Sequence, residues 1–151
     1  MIPANYNANY QIVQAPGYVA LLSEQIHDVR IIPTDGRPHV SQDVRQLLGD
    51  ARGHWDGNTL VVETTNFTDR TRFRGSGEHM HLIERFTRTG SDTMFYEFTV
   101  NDPETFTQPW TARVPMTRAQ GPLFEYACHE GNYGLSGSLA GARAQDAAAK
   151  K

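Results

Sequence analysis

Several residues have the type and spacing to do chemistry. His79 and His81 are separated by one residue, so on a strand both side chains would project to one side and could chelate a single ion. Glu84 follows three residues later and by parity points to the opposite side. The cupin signature has a glycine five residues before its His-x-His pair and a glutamate three or four residues after it. Here Gly75 lies three residues before His79, and only two residues separate His81 from Glu84. One divalent transition metal on His79, His81 and His129 is therefore an alternative, and the main reading carries no cofactor.

A second group is Cys128-His129-Glu130, inside YACHEGNYGL. Neighbours on a strand point apart, so Cys128 and His129 would not form a nucleophilic pair. Cys128 shares a face with Phe124 and Tyr126 and reads as a small packing residue, whereas His129 and Glu130 stand where a strand ends. A third group is His27-Asp28 with Arg30, together with Asp35-Gly36-Arg37-Pro38-His39. A histidine beside a carboxylate can serve as an oriented general base. No GxSxG, P-loop, GxGxxG or HExxH pattern occurs.

The elements that must position these residues are strands. Ala15-Pro16-Gly17, Pro33-Thr34-Asp35-Gly36, Asp56-Gly57-Asn58, Thr89-Gly90-Ser91-Asp92, Asn101-Asp102-Pro103 and Gln120-Gly121-Pro122 all read as turns. Between them lie strand patterns over Tyr10–Gln14, Tyr18–Ile32 (one bent strand or two, broken near Gln25–Asp28), Thr59–Thr65, His79–Arg88, Thr93–Val100, Phe106–Met116 and Leu123–Cys128. Pro109 and Pro115 suit an edge or a bulge. Ser41 would cap one short helix, Gln42–Leu48, ended by Gly49. The polar stretch Thr68–Glu78 reads as a flexible loop. Its Arg70, Arg72 and Arg74 alternate and would share one solvated or anion-contacting face.

Seven or eight strands joined by tight turns give an all-β fold, an antiparallel meander that would close into a lipocalin-like barrel. A cupin-like or other β-sandwich is the alternative. The length of 151 residues suits a single domain over 1–151, with a tail from about 135 that would form a short helix or fray. Alternation puts Met80, Leu82, Glu84 and Phe86 inward, facing Met94, Tyr96, Phe98 and Val100. The same parity sets Ala20, Leu22 and Glu24 on one face, so that Glu24 and Glu84 would both point into an apolar interior. A buried carboxylate needs a partner, and Arg30 or Arg113 could supply one.

The bulk properties exclude some classes. A 38% hydrophobic and 21% charged chain can fold around a core. With a formal charge of −3 and no basic cluster it is a poor nucleic-acid binder. No apolar run approaches the roughly 20 residues of a membrane helix. The opening MIPANYNANY lacks the basic start of a signal peptide, and one cysteine forms no internal disulfide.

The stretches YQIVQAPGYVALLSEQIHDVRIIPTDGRPH, GHWDGNTLVVETTNFTDRTRFRG, HLIERFTR and EYACHEGNYGL resemble the C-terminal region of a large group of exported bacterial proteins with no assigned activity. The resemblance runs from about Asn5 to Arg143 and implies a periplasmic or secreted location. Matching positions include His27, Arg30, Asp35, Arg37, His39, Trp55, Asn66, His81, Glu84, His129, Glu130 and Asn132.

These readings converge on a β-barrel that holds a small organic molecule. Phe86, Tyr96, Phe98, Phe124 and Tyr126 would supply apolar walls, with His81, Arg30, His39, Tyr96, Tyr126 and Glu130 touching the ligand. Any catalysis would be acid–base chemistry of the isomerase, hydratase or lyase type, carried by Glu84, His129 and His27. The alternatives are the metal-binding cupin-like protein and a non-catalytic interaction domain whose strand edges pair, including with a second copy.

Overall fold

Turn chemistry sets the first hairpin. Pro16 presets φ and Gly17 takes φ +77°, the combination of a type II turn, so β1 (Tyr10–Ala15) folds back on β2 (Tyr18–Ser23) with Ala15 opposite Tyr18. The chain then leaves the ladder for five residues and returns as β3 (Val29–Pro33). The long early pattern is thus two strands, broken where the sequence suggested. This computed structural model describes residues 9–127, 130–131 and 133–149.

Five further strands form a second antiparallel sheet in chain order: β4 (Asp50–Asp56), β5 (Thr59–Thr65), β6 (His81–Arg88), β7 (Thr93–Asn101) and β8 (Trp110–Thr117). Gly57, at φ +59° in the first central position, makes the two-residue β4–β5 turn. β8 lies at the sheet edge, where its Pro115 costs the ladder least. Helix α1 (Gly134–Ala149) follows and buries none of its residues. The fold is therefore mostly β, with eight strands in two antiparallel sheets. No ladder joins the sheets among the described residues, and no closed barrel is found.

The inward faces of β6 and β7 are those alternation assigned: Leu82, Glu84, Phe86, Tyr96, Phe98 and Val100 are all buried. On β2 the assignment is reversed. Val19 and Leu21 face the core, while Tyr18, Ala20 and Leu22 lie on the outer face with Val13, Val29 and Ile31. Glu24 is nevertheless buried, because it lies past the end of β2, where Asn9 Nδ2 donates to its carboxylate at 2.7 Å. Val19, Leu21 and Ile32 from the small sheet pack on Leu60, Val62, Phe86 and Tyr96 from the large one. Gly53 permits this approach, since a Cβ there would lie 2.9 Å from Ile32 Cγ2 and 3.1 Å from Thr34 Cγ2.

Two expectations fail for identifiable reasons. Residues 42–48 form turns rather than a helix, because their backbone groups bond elsewhere: Gln46 N donates to Asn66 O, and Thr68 N to Gln46 O. β4 begins at Asp50, whose buried carboxylate accepts from Val40 N and pairs with His39 and Arg52. Residues 123–127 are not a strand. They have the alternation but no neighbouring ladder, and Phe124 is 69% exposed. Cys128, His129 and Asn132 lie outside the described residues.

Among the described residues, one polar bridge crosses between the sheets. Arg30, inward on β3, meets Glu84, inward on the middle strand of the large sheet, through two hydrogen bonds of 3.0 and 2.5 Å. Tyr96 Oη donates to Glu84 at 2.8 Å, and Arg30 donates to Thr64 Oγ1 at 3.1 Å. Burial pushes the Glu84 carboxyl upward, but the adjacent guanidinium outweighs it and holds the group at about 2, below its ordinary 4.5. Burial, then the Glu84 charge, raises the Tyr96 hydroxyl, so it stays a donor.

Removing one member strands a buried charge. Arg30→Met should cost about 3–5 kcal/mol in urea unfolding. Because the Glu84 pKa is depressed on folding, its contribution is complete above about pH 4.5 and is lost as pH falls toward 2. Glu84→Gln should flatten that acid limb. An unchanged limb would show that the pair does not set acid stability.

Candidate ligand-binding site

The residues singled out for chemistry do not meet as one constellation. Arg30, Glu84 and Tyr96 converge, but in the core cluster just described, where Glu84 has no exposed surface and is already ionised and bonded. That is the setting of a structural ion pair. His81 sits on the outer face of the large sheet, its Nε2 2.6 Å from Glu63 Oε1. His27, exposed beyond β2, lies 3.9 Å from Glu125. His39 bonds through Nδ1 to Asp50 at 2.9 Å, and its Nε2 is buried without a hydrogen-bond partner. Tyr126 is half-buried on the segment after β8, and Glu130 is exposed.

The His-x-His pair does not lie on one strand, since only His81 belongs to β6, and the third histidine of the metal alternative, His129, lies outside the described residues. His79 precedes the strand and turns to Glu104 and Glu78, at 3.4 and 3.7 Å. Among the described residues no group of three His, Cys, Asp or Glu is arranged to hold a metal ion.

The structure assembles a different site at the β8 edge. Phe73, Arg74, Phe98, Phe106, Trp110 and Ala112 line a cleft of about 440 Å³. Inward alternation on β7 and β8 brings Phe98, Trp110 and Ala112 to the same side of the sheet. Phe73 and Phe106 arrive from two loops. The rings meet mainly edge to face: Phe98–Trp110 at 5.6 Å, Phe106–Trp110 at 5.7 Å and Phe73–Phe98 at 6.5 Å between centroids, with Phe73–Trp110 tilted at 6.0 Å. This wall shares only Phe98 with the aromatic wall expected from sequence.

The loop that carries Phe73 is ordered by its own hydrogen bonds. Phe73 and Ser76 bond reciprocally around Arg74 (φ +51°) and Gly75 (φ +97°), the geometry of a type I′ turn. The neighbouring loop is held by Asp102, which is 2% exposed. Its carboxylate accepts from Glu104 N at 3.1 Å and from Gly77 N at 3.2 Å, and its carbonyl accepts from Thr105 N and Phe106 N. One side chain thus ties both loops to the end of β7. Asn101-Asp102-Pro103 was legible as a turn, but nothing local revealed that its carboxylate also reaches Gly77.

A second cleft, of about 490 Å³, is bordered by Asp92, Arg118, Ala119, Gln120 and Gly121 and lacks an aromatic wall. No family model, curated protein or solved structure matches the chain.

Asp102→Ala removes the acceptor of two backbone N–H groups and should cost about 1–3 kcal/mol. At about 2–4 °C per kcal/mol this is measurable by thermal melting. Faster amide exchange should appear at Gly77 and Glu104, and Asp102→Asn, which keeps an acceptor oxygen, should lose less. Unaltered exchange at both amides in Asp102→Ala would rule out this tethering role.

Proposed function

We propose that this domain binds a small organic molecule in the aromatic cleft at the β8 edge. The observation that carries the reading is the convergence of four aromatic rings, from two strands and two loops, around a space of about 440 Å³. That volume falls in the range of roughly 300–1,000 Å³ typical of small-molecule sites. A hydrophobic core needs no such opening, since interiors close-pack to exclude voids.

The cleft favours holding a ligand over transforming one. Among the described residues its lining contains no carboxylate, histidine or nucleophile. The carboxylate that sequence parity assigned as a base, Glu84, is occupied between the sheets by Arg30 and Tyr96. Aromatic faces and edges supply stacking and dispersion to a flat apolar body. The reading keeps the small-molecule ligand expected from sequence and moves it from a barrel interior to a sheet edge.

Tryptophan fluorescence gives a direct test. The chain has two tryptophans, and Trp55 is 49% exposed on β4, so Trp55→Phe leaves Trp110 as the reporter. Titration with bicyclic aromatic compounds should give a saturable shift with Kd on the order of 0.1–1 mM. Ala112→Trp, which fills the cleft, should weaken binding at least tenfold when followed by calorimetry, with the circular dichroism unchanged. The absence of saturation across the panel would sink the proposal.

A further inference from the structure

We infer that the ligand of this cleft is a flat aromatic acid, its carboxylate held by Arg74. The inference rests on the cleft being a binding site and adds the charge and class of what it takes.

Arg74 is the one charged residue in the cleft lining among the described residues. Arg37, Arg45, Arg85 and Arg113 are tied down, to Asp35, Glu78, Asp56 and Glu97, whereas the loop arginines Arg70, Arg72 and Arg74 are not ion-paired among the described residues, and of these Arg74 lines the cleft. Arg74 makes no ion pair or side-chain hydrogen bond among the described residues, and its guanidinium carbon lies 6.0 Å from the Phe73 ring centroid. On the adjoining loop, Glu104 is engaged with His79. A positive fork beside an aromatic wall repels cations and suits a planar anion, because two parallel N–H groups match two carboxylate oxygens.

The backbone points the same way. Arg74 has φ +51°, in the left-handed region where glycine, asparagine and aspartate are favoured and a long side chain is disfavoured. A type I′ turn would form more readily with Asn-Gly than with Arg-Gly. Strain of this kind persists where surrounding structure enforces it, and it clusters at ligand clamps. Here the turn projects a guanidinium from a fixed hairpin instead of a mobile loop.

The test compares 2-naphthoate with 2-naphthamide, which have nearly the same shape and differ in charge at neutral pH. Calorimetry at low ionic strength should show naphthoate binding at least tenfold tighter, with the margin shrinking as salt is added. In Arg74→Asn the two affinities should converge on that of the amide, and the melting temperature should hold or rise because asparagine tolerates the turn. Equal affinities in the unsubstituted protein would overturn the acid while leaving the cleft as a site for neutral aromatics. A naphthoate preference that survives Arg74→Asn would overturn the assignment to Arg74. Failure of both compounds to bind would overturn the cleft reading along with it.

Discussion

The arrangement of the two sheets depends on the ion pair between Arg30 and Glu84. Among the described residues no ladder links the small sheet to the large one, and they meet through packing and this bridge. Packing is tolerant of small slips, whereas a bidentate pair in a dry interior is not. Glu84 stands opposite Val62 and Phe98 in the ladders of the large sheet, and Arg30 opposite Leu21 in the small one. A one-residue slip in either sheet would carry a charge to the wrong face. Leaving either charge buried alone costs several kcal/mol, so the bridge selects one alignment of the sheets even if a hydrophobic pair would be as stable. Thr64 and Tyr96 extend the cluster, the first accepting from Arg30 Nη2 and the second donating to Glu84, while Arg30 Nε is buried without a hydrogen-bond partner among the described residues.

The same cluster anchors the cleft. Tyr96 donates to Glu84 and stacks on Phe86 at 4.9 Å and on Phe98 at 5.5 Å. Phe98 in turn forms part of the cleft wall. The ring row that begins in the core thus ends at the site, and a wall fixed in this way is organised before a ligand arrives. The loops are secured separately, through Asp102 at the end of β7 and the reciprocal Phe73–Ser76 bonds. The division of labour is clear in the chemistry. The most strongly perturbed carboxylate is structural and sealed, and the cleft offers aromatic surface and one cation.

Much of the fold was legible because it is written in local patterns. Pro16-Gly17 and Gly57-Asn58 encode their turns through the φ values those residues allow. Strict alternation over β6 and β7 marks the inward faces, Glu84 included, and the expense of burying a carboxylate calls for a partner such as Arg30 or Arg113, of which the fold brings Arg30 to Glu84 and Arg113 to Glu97. Alternation misled on β2, where Tyr18, Ala20 and Leu22 are as apolar as Val19 and Leu21, so both faces carry the same signal.

What the sequence alone determined is therefore which side chains share a face along each strand, the position of the tight turns and the need to pair a buried carboxylate. These follow from backbone period, from φ and from desolvation, which act within a few residues. The tertiary structure decided which segments find partners. Residues 42–48 gave up a helix because the chain at 66–68 took their backbone bonds, and residues 123–127 have the pattern of a strand without a ladder to join. It also decided the site. Phe73, Phe98, Phe106 and Trp110 belong to four different local patterns, and their rings meet only because β7, β8 and the Asp102 tether bring them together. Periodicity says where a side chain points; only the packing of distant segments says what it meets.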